Sequence, residues 1–119
     1  MIVLVCGGRE YANKEFLYQI LDKAHEATSI TMIVHGAARG ADKLAGQWAK
    51  ERGLPVKEYP AFWDTERKAA GALRNSRMLA DANPDLVIAF PGGKGTADMV
   101  KKARSAGVPV FNIVDDKGE

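Results

Sequence analysis

Short apolar runs alternate along the chain with longer segments in which apolar residues recur every three or four positions. The runs predict buried strands and the periodic segments predict amphipathic helices. The predicted strands are Ile2–Cys6, 30–35, 55–59, 85–90 and 108–114. The predicted helices are 13–27, with Asn13 as N-cap, 41–52, 69–82 and 96–106. Residues 60–68 are predicted to form an aromatic and charged loop, and the last five residues a polar tail.

Strict alternation of strands and helices, with strands that are apolar throughout, is typical of a parallel sheet covered by helices on both faces. Right-handed crossovers then favour a doubly wound, Rossmann-like arrangement. The sequence therefore predicts a single α/β domain over residues 1–119, with three layers and a five-stranded parallel sheet in the order 3-2-1-4-5. The winding reverses between the first and fourth strands, and ligands of such sheets bind at the carboxyl ends of the strands at that point.

Composition narrows the class of protein. The 119 residues fit one domain, and 17 basic against 15 acidic side chains leave a formal net charge of +2, which argues against nucleic-acid and membrane partners. One cysteine excludes an intramolecular disulfide framework, and with two scattered histidines it predicts no metal site and no resident cofactor. The apolar N-terminal run is too short for a signal peptide, and no stretch approaches the roughly 20 apolar residues of a membrane span. The sequence therefore predicts a cytoplasmic protein with Cys6 reduced.

Three loops that follow predicted strands, residues 7–10, 36–42 and 91–96, contain seven of the twelve glycines. Glycine lets backbone N–H groups approach a ligand closely, and a following helix offers unpaired N–H groups and a partial positive charge to an anion. Each loop also carries a cation. These features predict a phosphate-binding site, although glycines after strands also serve simply as tight turns. The predicted contacts are Gly7, Gly8, Arg9, Gly36, Arg39, Gly40, Pro91, Gly92, Gly93, Lys94, Gly95 and Thr96.

The helix over 69–82 carries two further candidates. Asn75 shares a face with apolar residues, so its amide needs a partner, which is either the backbone of a neighbouring loop or a ligand. Arg74 lies near the predicted helix start, where a cation opposes the helix dipole. That conflict favours a contact with a ligand anion, with a solvated arginine as the alternative.

Two acidic residues follow predicted strands. Asp42 is interpreted mainly as the N-cap of the second helix, with ligand contact as the alternative. Glu10 follows the first strand beside the point where the winding reverses, and it is the preferred candidate for a catalytic carboxylate. The pair Phe62 and Trp63 has three interpretations that the sequence leaves open: stacking on a base, closing the pocket, or contacting a second copy of the chain.

Four motifs occur here in the order found in one protein family. They are Gly7-Gly8-Arg9-Glu10-Tyr11, the run from His35 to Ala45, Arg74-Asn75-x-x-Met78 and Pro91-Gly92-Gly93-x-Gly95-Thr96-x-x-Met99. In these motifs the chain resembles the YspA-like branch of the SLOG superfamily. The same superfamily includes the Smf/DprA proteins and the Lonely Guy enzymes. The resemblance implies a Rossmann-like fold that binds a nucleotide or an ADP-ribose-like derivative at these loops, and it allows a homodimer.

The Lonely Guy enzymes suggest an alternative function, hydrolysis of the N-glycosidic bond of a nucleoside 5′-monophosphate. The resemblance implies that such enzymes use an arginine, here Arg74, and a glutamate at the position of Met99. A thioether can neither transfer a proton nor stabilise a cationic centre as a carboxylate does. Asp98 is adjacent but points about 100° away on a helix, and Glu10 is the remaining candidate. Single-stranded DNA binding is less favoured, because acidic residues interrupt the basic ones.

Overall fold

A computed structural model describes residues 1–114, so the predicted polar tail lies outside the described residues. The strands are β1 (Ile2–Cys6), β2 (Met32–His35), β3 (Val56–Glu58), β4 (Leu86–Ala89) and β5 (Val110–Asn112). The helices are α1 (Lys14–Thr28), α2 (Ala41–Glu51), α3 (Trp63–Glu66), α4 (Ala70–Ala82) and α5 (Lys94–Ser105), with a 3₁₀ turn at Arg67–Ala69. Within residues 1–114, no helix has the length and apolar character needed to cross a membrane.

All strand pairs are parallel, and the sheet order β3-β2-β1-β4-β5 confirms the predicted topology. β1 lies at the centre, where Cys6 pairs in register with Ala89 of β4. Because parallel strands end at the same edge of the sheet, this register places the loops after β1 and β4 side by side. The candidate loops therefore meet where the winding reverses.

The central strand contributes alternate side chains to two separate cores, as the period of a strand requires. Val3 and Val5 pack with side chains of α1 and α2, including Leu17 and Trp48. Leu4 and Cys6 pack on the opposite face with α4 and α5, through residues such as Met78, Met99 and Val100. The predicted three-layer arrangement is thereby confirmed.

The first residues of the helices agree only in part with the sequence predictions. Asn13 caps α1 as predicted, because its side-chain oxygen accepts a hydrogen bond from Phe16 N at 3.2 Å. The prediction that Asp42 caps α2 is wrong, since the cap residue is Gly40. Asp42 lies in the first turn of α2, and its carboxylate accepts hydrogen bonds from the preceding loop. α5 begins at Lys94, two residues before the predicted start.

The segment predicted as a loop over residues 60–68 contains α3 and the start of the 3₁₀ turn. Two contacts from Arg77 of α4 hold α3 in place. Its guanidinium forms an ion pair with Glu66 at 2.9 Å and lies 4.5 Å from the ring centroid of Phe62. These contacts join residues more than ten positions apart, so the local sequence pattern did not reveal them.

Candidate functional site

The three glycine loops pack directly against one another through their backbones. Gly8 N donates to Pro91 O at 2.9 Å, and Ala41 N donates to Gly8 O at 3.2 Å. Gly92 must lack a side chain, because a Cβ there would lie 2.6 Å from Gly8 N. The loops after β1, β2 and β4 consequently form one interlocked unit at the carboxyl edge of the sheet.

Four other glycines of these loops also have no room for a side chain. A Cβ on Gly7 would lie 2.6 Å from that of Ala41, and a Cβ on Gly8 would lie 3.1 Å from Pro91 O. At Gly36 a Cβ would overlap the guanidinium of Arg74. Gly40 combines close approach with a φ of +79°. Contacts with neighbouring loops, and with Arg74 of α4 in the case of Gly36, therefore account for these glycines without a ligand.

Gly93 and Gly95 are different. Within residues 1–114, and apart from each glycine's own chain neighbours and the backbone of α5, no atom lies within 4 Å of the position that a Cβ would take at either residue. Gly93 precedes α5 as its cap residue and offers no side-chain cap, and Gly95 lies in the first turn. The first amide groups of a helix have no intrahelical acceptors. The first backbone N–H groups of α5 therefore lack intrahelical acceptors, and the space beside Gly93 and Gly95 is open.

These two glycines line a cleft of about 590 Å³ beside the ends of β1 and β4. The cleft brings together most of the sequence-predicted residues: Gly7, Gly8, Arg9, Asp42, Arg74, Asn75, Gly93, Lys94, Gly95 and Thr96. The lining does not include Glu10, Gly36, Arg39, Gly40, Pro91 and Gly92. Lining residues that sequence reasoning did not assign to the site are Cys6, Ala38, Lys68, Gly71, Ala72, Met78 and Asp98, with Trp63 among those left open.

Asp42 is a buried carboxylate at the cleft wall, with 5% of its surface exposed. One of its oxygens accepts hydrogen bonds from Gly36 N at 3.1 Å and Ala38 N at 3.2 Å. Burial raises its pKa to about 6, although these hydrogen bonds and the charges of Arg74 and Arg9 act in the opposite direction. The cleft wall therefore contains an acid whose pKa lies closer to neutral pH than that of an ordinary aspartate.

Arg74 projects from α4 toward the loop after β2. Its guanidinium donates to Gly36 O and, through Nε, to Asn75 Oδ1 at 3.0 Å. Burial lowers its pKa, and the nearby Asp42 carboxylate opposes that shift. An arginine stays charged even so. Arg74 thus fastens α4 to the β2 loop while it places a positive charge at the cleft.

Asn75 links α4 to α5. It is buried, and its amide donates to Gly95 O at 3.1 Å and to Asp98 Oδ2 at 3.0 Å. The backbone contact is one of the two alternatives that the sequence left open. Partial burial would raise the pKa of Asp98, but hydrogen bonds from Asn75 and Lys102 outweigh it, so the pKa lies below its usual value.

Asp98 and Met99 are adjacent on α5, but one lines the cleft and the other lies in the core. Met99 is fully buried in the core between α4, α5 and the sheet. Asp98 lines the cleft instead, because its carboxylate turns toward Asn75 of α4. The carboxylate that this cleft offers on α5 is therefore that of Asp98. Its contact with Asn75 spans 23 positions, so local periodicity gave no signal for it.

Glu10 and Arg39 form an exposed ion pair at 2.8 Å, away from the main cleft. Arg39 instead lines a smaller neighbouring cavity of about 390 Å³, together with Arg9, Trp63 and Arg74.

Cys6 lies at the floor of the main cleft, and burial raises the pKa of its thiol to about 12. A thiol of that kind is not a nucleophile at neutral pH. In the described part of the chain, no group of three or more His, Cys, Asp or Glu side chains could hold a metal ion.

The chain is similar to a known protein family and to a phage protein. A family model described as the YspA, cpYpsA-related SLOG family matches residues 1–65, which include the loops after β1 and β2. The Gene 61 protein of Mycobacterium phage D29 is 36% identical over 121 residues, covering 95% of this chain and 96% of that protein. The second match extends over the loop after β4 and the start of α5 as well.

Proposed function

We propose that this chain, which belongs to the YspA, cpYpsA-related SLOG family, binds a phosphate-bearing nucleotide or an ADP-ribose-like derivative in the cleft. The observation that carries the proposal is the empty space over Gly93 and Gly95. The other glycines of the three loops are accounted for by contacts within the chain. These two are not, and bare amides at a helix start are a ready site for a phosphate.

Charge and volume support the same conclusion. Arg9, Lys68 and Lys94 line the cleft, and Arg74 adds a cation that is already held in place by hydrogen bonds. A volume of about 590 Å³ suits a small molecule of nucleotide size. The cations surround a concave site on a domain with a net charge of only +2, which favours a compact anion over a polymer.

Gly95→Ala provides the test of this placement. We expect wild-type protein to release or absorb heat when titrated with AMP, ADP or ADP-ribose, and the variant to bind at least tenfold more weakly. The added methyl group would project into the space assigned to the phosphate. The fold has room for it, and alanine in a helix is favoured over glycine by about 1 kcal/mol, so stability should be unchanged or higher.

Gly107→Ala is the matched control. It also adds a methyl group with no neighbouring atom within 4 Å in the described structure, just beyond the C-terminal end of α5. Its positive φ of +77° will lower stability slightly, but nucleotide affinity should stay as in wild type. A folded wild-type protein that gives no heat with any of these nucleotides would contradict the proposed function. Equal affinity in wild type and Gly95→Ala would contradict the phosphate position.

Hydrolysis of a nucleoside 5′-monophosphate is a second candidate function, and the two carboxylates at the cleft favour it. Water would attack C1′ of the ribose while the bond to the base breaks and the base nitrogen takes a proton. Asp98, whose pKa is lowered, would stabilise positive charge at C1′. Asp42, with a pKa of about 6, would supply the proton that the base nitrogen takes and would recover a proton from the attacking water. Environments that separate the pKa values of two acids are typical of such pairs.

Comparing Asp98→Asn with Glu10→Gln tests this candidate and separates the acids. We expect Asp98→Asn to reduce release of free base from AMP at least about 100-fold, since the ionised group is lost. Glu10→Gln should retain release, because Glu10 lies outside the cleft lining. Free base is measured by chromatography. If wild-type enzyme at high concentration releases no base, the hydrolytic candidate fails and the binding proposal is unaffected.

A further inference from the structure

Trp63 is the exposed aromatic residue whose role the sequence left open. Its indole is 49% exposed and lines the cleft, beside Gly71 and Ala72 of α4. The neighbouring Phe62 is also exposed but does not line the cleft, since its ring lies against the guanidinium of Arg77. The two adjacent aromatic residues therefore have different surroundings, and Trp63 alone of the pair faces the cleft.

The indole lies beside α4 and is carried by a short helix that is itself anchored. Its Cη2 lies 3.7 Å from the position that a Cβ would take on Gly71, so the ring edge reaches the first turn of α4. The short helix that carries it is anchored by the Glu66–Arg77 ion pair at 2.9 Å. An aromatic face fixed in this way loses little conformational freedom when a flat group stacks on it.

Arg9 already occupies a position over this ring. Its guanidinium carbon lies 5.2 Å from the ring centroid of Trp63. The contact is between exposed groups, where a cation–π interaction is weak. Arg9 is also a lining residue of the cleft that contains Gly93 and Gly95. A phosphate there offers the guanidinium charge-assisted hydrogen bonds, which are stronger than its contact with the indole.

The lining of the cleft thus combines two kinds of surface. The start of α5 offers bare amides, and Trp63 offers an exposed aromatic ring whose edge reaches Gly71 of α4. A nucleotide is divided in the same way, into an anionic phosphate and a planar base. We propose that Trp63 is the base-stacking residue of this cleft, and that Arg9 transfers from the indole to the phosphate when a nucleotide binds. The inference rests on the proposed function, and it requires a ligand that retains its base.

Titrations with AMP and ribose 5-phosphate test this inference in wild type, Trp63→Ala and Trp63→Phe. Base–aromatic stacking contributes roughly 5- to 150-fold in affinity. We expect Trp63→Ala to lose that factor for AMP and to bind ribose 5-phosphate within twofold of wild type. Trp63→Phe should retain most of the AMP affinity. Arg9→Ala should weaken both ligands, because both carry the phosphate. Phe111→Ala, at a comparably exposed aromatic residue on β5, is the control and should change neither affinity.

Tryptophan fluorescence gives an independent readout, because Trp48 is fully buried and Trp63 is half exposed. AMP should change the emission of wild type and leave that of Trp63→Ala unchanged.

Unchanged AMP affinity in Trp63→Ala, or equal loss for AMP and ribose 5-phosphate, would overturn the stacking role while nucleotide binding stands. Unchanged phosphate affinity in Arg9→Ala would overturn the transfer. If ribose 5-phosphate binds too weakly to titrate, loss of AMP affinity in Trp63→Ala with retention in Trp63→Phe supports the stacking role, and equal loss in both variants overturns it. If wild type binds neither ligand, the proposed function fails and the inference with it.

Discussion

Gly40→Ala is expected to lower the free energy of unfolding by about 3–5 kcal/mol, the largest loss from one added methyl group in the loops. The backbone at Gly40 has φ +79° and ψ −129°, a region that essentially only glycine occupies. A Cβ would also overlap Gly8 O and lie 2.6 Å from Arg9 O. Strain and overlap act together here, and Gly8 O cannot move aside without weakening the hydrogen bonds that it accepts from Tyr11 N and Ala41 N.

Gly53→Ala separates these two causes. Gly53 has a similar φ of +71°, but no atom of the described structure lies within 4 Å of where its Cβ would be. Conformational strain alone should cost about 1 kcal/mol there. Urea denaturation of both variants measures the difference. Losses of equal size would show that the loops after β1 and β2 have room to separate, and would refute the interlocked arrangement.

Asp42→Asn is expected to raise the free energy of unfolding by about 1–3 kcal/mol at pH 7, since each pKa unit corresponds to about 1.36 kcal/mol. The folded protein raises the pKa of Asp42 from 3.8 to about 6, chiefly by burial. The fold therefore favours the neutral acid, and ionisation at pH 7 opposes folding. An amide oxygen at this position still accepts the hydrogen bonds from Gly36 N and Ala38 N.

The direction of the pKa shift of Asp42 predicts how the stability difference between wild type and Asp42→Asn depends on pH. Because the folded pKa lies above the unfolded one, the stabilisation from protonating Asp42 is complete below pH 3.8 and is lost as pH rises through about 6. The advantage of Asp42→Asn should accordingly be largest above pH 6 and shrink on acidification toward pH 4. Denaturation at several pH values measures it, and an advantage that does not change with pH would refute the assignment.

Asp22→Asn is the opposite control. A hydrogen bond from Arg52 lowers the pKa of Asp22, and one from Trp48 adds to this. Its stabilisation is present above pH 3.8 and is lost as pH falls. Replacing Asp22 should therefore lower stability at neutral pH. A pair of Asp→Asn variants with opposite signs would show that the cost of Asp42 comes from its burial and is not a general property of the aspartates of this chain.

Sequence periodicity was sufficient for the order of strands and helices, because buried strands and amphipathic helices have local patterns. Asn13 could be recognised as a cap for the same reason, since the cap and the N–H that donates to it are three residues apart. Asp98 could not be placed, because its orientation depends on Asn75 on another helix. The same limit applied to α3, whose anchors come from Arg77.

The glycines illustrate the limit most clearly. Gly92 and Gly93 are adjacent and identical in sequence terms, yet one is enclosed by the β1 loop and the other faces open space. Only the packing between loops distinguishes them. The glycine-rich motifs therefore predicted loops that do meet at one edge of the sheet, while separating the glycines enclosed by packing from those that face open space required the three-dimensional arrangement.

The contact between Gly36 and Arg74 has a consequence for how relatives of this protein can diverge. Any side chain at position 36 would occupy the volume of the guanidinium, and the arginine in turn satisfies the carbonyl of that glycine. Neither position can change alone without overlap or an unsatisfied polar group. The two positions should therefore be inherited as a unit, so that a larger residue at position 36 is found only in chains where position 74 has become shorter.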